Sequence, residues 1–124
     1  MEFDQPFLQL PWRFDSQLLA REVEALPRDF WLDHPSGLLG NSAVPLVSVD
    51  GEMNHAFDGA MQATRALRES PYLHQTVASF GEVVARSRLM RLAPGAQVAE
   101  HVDFNYHWVS RVRIHVPIVT DPSV

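Results

Sequence analysis

Arg111-Val112-Arg113-Ile114-His115-Val116-Pro117-Ile118-Val119 is the stretch from which the rest of the chain is read. Successive side chains of an extended segment point to opposite faces. Val112, Ile114, Val116 and Ile118 would therefore line one face, and Arg111, Arg113, His115 and Pro117 the other. Alternation of this strictness predicts a half-buried strand, so its neighbours should be strands too. Immediately upstream, residues 82–92 are rich in strand formers and end at a Pro94-Gly95 turn. Gln97 to His101 reads as a further strand, with a loop over 103–110. Residues 82–124 are thus predicted to be sheet.

The front of the chain reads differently. Asp15 or Ser16 can cap a helix to about Leu26, with Leu18, Leu19, Val23 and Leu26 on one face before Pro27 ends it. Residues 33–45 read as a loop, Leu46 to Val49 as a short strand, and Asp50-Gly51 as its closing turn. Phe57, Ala60, Met61, Thr64 and Leu67 fit the apolar stripe of a second helix. Ser70-Pro71 starts a third in the favoured order, Tyr72, Leu73, Val77 and Phe80 face its core, and Gly81 stops it. The expected organisation is one domain over 1–124, helix-rich over 1–81 and sheet over 82–124.

Composition narrows the classes of function. With 124 residues, 46% of them hydrophobic, one compact core is expected. There is no apolar run of membrane-span length, and MEFDQPF lacks the basic start of a signal peptide, so a cytoplasmic protein is expected. The absence of cysteine removes disulfides, thiolate nucleophiles and zinc-cysteine sites. The net charge is −5, but residues 1–70 carry eleven of the fifteen acidic side chains and five of the ten arginines. The second half is therefore the anion-friendly half. An acidic chain without a basic stripe argues against a nucleic-acid partner.

Ten residues before the alternating stretch stands His101-Val102-Asp103. A histidine and a carboxylate two positions apart lie on the same side of an extended segment and can reach one metal ion. They would supply two members of a 2-His-1-carboxylate site for Fe(II). Arg113 and His115, on one face of the following strand, offer a planar guanidinium fork and an imidazole donor to a carboxylate. Periodicity alone favours a solvated face for these polar residues, and the nearby metal pair shifts the reading toward a site. His34, His55 and His74 are scattered and read as structural or exposed.

Taken together these residues resemble those of a known family, the aspartyl/asparaginyl (and proline) β-hydroxylases, which are Fe(II)- and 2-oxoglutarate-dependent oxygenases. The resemblance runs from about Asn41 to the end. It rests on Asn41-Ser42-Ala43-Val44-Pro45-Leu46, on Arg88-Leu89-Met90-Arg91-Leu92 leading to Pro94-Gly95, on His101-Val102-Asp103 and on Arg113-Ile114-His115-Val116-Pro117. It implies a mainly β, α+β fold: a double-stranded β-helix of the jelly-roll or cupin-like kind, with helices outside. It further implies that His101 and Asp103 bind iron and that Arg113 and His115 bind 2-oxoglutarate. Tyr106, His107 and Trp108, with Phe104, would belong to a loop shaping the substrate pocket. Met90 departs from the family pattern, because methionine cannot supply the hydroxyl that helps hold the distal carboxylate in the animal enzymes. Arg88 or Arg91 is the expected substitute.

In the family a second histidine ligand and a far-carboxylate arginine come from later strands. Only Asp121-Pro122-Ser123-Val124 follow the Arg-x-His segment here. The chain is accordingly expected to represent the N-terminal and central part of such a domain, truncated at its C-terminus, with activity residing in a longer protein. The expected substrate is an amino-acid side chain or a related small molecule, free or in a peptide. The alternative is a non-catalytic jelly-roll that binds an anion or a partner through Arg111, Arg113 and His115.

Overall fold

Asp15 opens the first helix by the chemistry expected of it. Its backbone is extended, and its carboxylate accepts from the Gln17 and Leu18 amides at 3.1 Å each, satisfying two donors that helix α1, Ser16–Glu24, leaves without an internal partner. This computed structural model describes residues 4–81, 84–102 and 110–122. After α1 a single 3₁₀ turn, Arg28–Phe30, buries Phe30 and leads into strand β1, Leu32–Asp33. Strand β2 is Asn41–Val49, β3 is Met61–Ala63, helix α2 is Arg65–Arg68, α3 is Pro71–Ala78 and β4 is Ser87–Leu92.

The four strands make one antiparallel sheet organised around β2. Along one edge β2 pairs with β4 from Asn41↔Leu92 to Val47↔Ser87. Its other edge is shared: β1 pairs at Leu32↔Ala43, and β3 at Val47↔Ala63. Between Pro45 and Val47 the register with β4 slips by one residue, a bulge located where proline has no amide to give to the ladder. The extra residue lets Val44, Leu46 and Val47 all enter the core, which simple alternation forbids. Leu19, Phe30, Ala66, Leu67, Leu73 and Leu89 complete that core, so the helices pack on one face of the sheet. Among the described residues no helix is long and apolar enough to cross a membrane.

Several expectations change. The segment 33–45 is not one loop: it contains the end of β1 and the start of β2, and Gly37 and Gly40, at φ 71° and 73°, compress the connection between them. The strand expected over Leu46 to Val49 is nine residues long. The helix expected from Phe57 to Leu67 is a loop, strand β3 and the short α2. Gly59, at φ 143°, breaks any helix there, and Met61 and Ala63 join the sheet while Thr64 caps α2. Three of the four strands therefore lie within the part expected to be helix-rich.

Neither Gln97 to His101 nor Arg111 to Val119 forms a ladder among the described residues. Val112 and Ile114 are each 46% exposed, whereas Val116 and Ile118 are half-buried against the core. Alternation says which face a strand would bury but supplies no neighbour, and pairing requires one. What the described residues form is an α+β fold with a four-stranded antiparallel sheet.

Candidate functional site

The sheet face turned away from the helices carries the candidate site. On β4, Leu89 points into the core, so Arg88, Met90 and Leu92 point the other way. Met90 is 52% exposed and Leu92 42%, which leaves an accessible apolar platform beside a guanidinium. The loop between β2 and β3 approaches this face. His55, in that loop, donates through Nε2–H to the Asp33 carbonyl of β1 at 3.2 Å; a carbonyl only accepts, so the neutral ring carries its proton on Nε2. Two residues on, the Phe57 ring lies 4.5 Å from the Arg86 guanidinium, which approaches from the start of β4.

The charged groups that act on His55 are all basic. Burial lowers the His55 pKa below its ordinary value, and Arg86, Arg88 and His34 lower it further, while the bond to Asp33 opposes the shift. Burial, followed by repulsion from Arg88, likewise pulls Arg86 below its ordinary value.

The residues singled out in the sequence are distributed as follows. His101 is exposed, and its Nδ1 donates to the Ala99 carbonyl at 2.8 Å. In the neutral ring that bond places the proton on Nδ1. Asp103, Phe104, Tyr106, His107 and Trp108 lie outside the described residues. Arg113 and His115 are exposed, in a segment that forms no ladder among the described residues. The two candidates for replacing the missing hydroxyl at Met90 are separated by the fold. Arg91 stacks over the Trp31 ring at 4.0 Å and donates to Ser42 Oγ at 3.3 Å, whereas Arg88 shares the open face with Met90.

Comparison with family models, curated proteins and solved structures yields no match. The residues of this site must therefore speak for themselves. His34, His55 and Arg86 are those that sequence reasoning missed. No local pattern marks them, because they meet only once the β2–β3 loop crosses toward β1 and β4.

Proposed function

We propose that this chain belongs to an Fe(II)- and 2-oxoglutarate-dependent oxygenase that hydroxylates an amino-acid side chain or a related small molecule. The observation that carries the reading is the state of His101. A metal-bound histidine characteristically gives its second ring N–H to a carbonyl or carboxylate, which fixes the tautomer and aims the other nitrogen. His101 makes such a bond to Ala99. Two residues on is Asp103. An imidazole and a carboxylate suit Fe(II), so the donor set fits the metal as far as it goes.

In this reading His101 Nε2 and the Asp103 carboxylate hold the ion. Among the described residues no three His, Asp or Glu side chains converge to complete a site. Iron with 2-oxoglutarate would supply the oxidising power for attack on an unactivated carbon. Arg113 would fix one 2-oxoglutarate carboxylate through its two-pronged fork, and His115 would add a donor beside it. Tyr106, His107 and Trp108 would border the substrate. A jelly-roll is the architecture this reading requires. What supports it is a four-stranded antiparallel sheet with helices packed against it.

Titration with Mn(II) or Fe(II), read by calorimetry on wild type and His101→Ala, tests the proposal. Wild-type binding of one equivalent, lost in the variant, is expected. Equal binding by both proteins would end the metal reading.

A further inference from the structure

We infer that the cavity between helices α1, α2 and α3 binds a small primary amine, its ammonium head against Glu22, Glu69 and Ser70 and its short alkyl stem against Ala25, Leu26 and Pro27. The site lies on the helices, shares no residue with the oxygenase reading, and is testable without metal.

Those six residues line a cavity of about 120 Å³. A water molecule's share of the liquid is about 30 Å³, so there is room for about four non-hydrogen atoms. Ser70 singles this cavity out. Only 4% of the residue is exposed, yet among the described residues its hydroxyl makes no hydrogen bond, not even the cap bond that its place before α3 would allow. A buried hydroxyl without a partner costs free energy that a ligand in the cavity would recover.

The surrounding groups decide what that ligand is. The Glu22 carboxylate accepts from the Tyr72 and Leu73 amides at 2.8 and 2.7 Å, so it already answers the positive start of α3. Glu69 holds Arg65 through Oε1 at 2.7 Å, which leaves its second oxygen for a ligand. Among the described residues no basic side chain lines the cavity, and an anion there would face two carboxylates. Two carboxylates and a hydroxyl supply three acceptors, the number of N–H donors on a primary ammonium. A divalent metal needs a richer set, and among the described residues no three His, Asp or Glu side chains come together. Ala25, Leu26 and Pro27 add an apolar wall that only an organic cation would use.

Propylammonium, tetramethylammonium and propionate serve as probes, added to the full chain without metal and followed by amide NMR. Propylammonium should bind saturably with a dissociation constant of about 1–10 mM, shifting the amides of Leu26, Glu69 and Ser70. Tetramethylammonium has the charge without an N–H, and propionate has a similar stem with the opposite charge, so neither should bind at about ten times that concentration. Glu69→Gln and Ser70→Ala should each weaken propylammonium roughly three- to tenfold. Glu22 also caps α3, so it is left intact.

Stability gives a second readout. The Ser70 hydroxyl has no partner in the ligand-free chain, so Ser70→Ala should leave the urea midpoint unchanged or raise it. A clear loss of stability in Ser70→Ala would show that the hydroxyl is already satisfied and would overturn the premise. Equal propylammonium binding by wild type and the Glu69→Gln/Ser70→Ala double variant would overturn the site. Tetramethylammonium or Mg(II) binding as tightly as propylammonium would overturn the assigned ligand class.

Discussion

Gly59 is a residue at which a side chain would be costly. At φ 143° it occupies backbone space that L residues rarely adopt, and a Cβ there would lie 2.5 Å from Val49 Cγ1. Gly59→Ala should therefore destabilise the fold by about 1–3 kcal/mol in urea unfolding, and an unchanged midpoint would show that the loop yields freely. Thr64 is fully buried, donating from Oγ1 to the Pro45 carbonyl at 2.8 Å and accepting from the Leu67 amide at 3.4 Å. Its valine variant keeps the shape and removes both buried bonds, a loss of roughly 1–3 kcal/mol. His55 makes a prediction in pH. Because its pKa is lower folded than unfolded, the unfolded chain takes up the proton first as pH falls below the ordinary value of 6.5. Stability attributable to His55 is complete above that pH and declines below it until the folded-state pKa is passed. His55→Gln should flatten this part of the melting-temperature profile. A wild-type profile with the same slope as the variant between pH 7.5 and 5.5 would sink the assignment.

Helix α3 shows how an element can be legible in outline while its anchor is not. Ser70-Pro71 marks the start correctly, yet the Ser70 side chain makes no cap bond. Glu22 of α1 does that work from 50 residues away, accepting from the Tyr72 amide at 2.8 Å and the Leu73 amide at 2.7 Å. A carboxylate on both donors also meets the positive end of the helix. Glu22→Ala should cost about 1–2 kcal/mol in urea unfolding. Glu22→Gln should recover little, because its amide nitrogen would face an N–H; full recovery would reduce the tie to simple packing. The same distinction between local and distant information explains the rest. The start of α1, the Asp50-Gly51 and Pro94-Gly95 turns and strand β4 depend on neighbouring residues and were readable. The spacing of Phe57, Ala60, Met61, Thr64 and Leu67 matches a helix, and the competing sheet contact with Val47 and Val49 exists only in three dimensions. In the candidate site, His101 and Arg88 follow from motif and register, while His55 and Arg86 are joined by a loop crossing that no spacing encodes.

Across the whole molecule, order should be graded from the centre of the sheet outward. Strand β2 is buried along almost its entire length, paired on both edges and covered by helices on one face. Its amides should exchange with solvent hydrogen only through global unfolding. The segment from Arg111 to Val119 is tied to the same core by Val116 and Ile118, but without a ladder among the described residues. Side-chain packing alone leaves backbone amides open to water, so Val112, Ile114 and Val116 should exchange orders of magnitude faster than Val44, Leu46 and Val47. Hydrogen exchange followed by NMR measures both groups in one experiment. Protection at every second residue of 111–119 would instead mean that the alternation does form an edge strand, paired on one side. That result would restore the strand expected from the sequence and place Arg113 and His115 together on one of its faces, the arrangement that gripping a carboxylate requires.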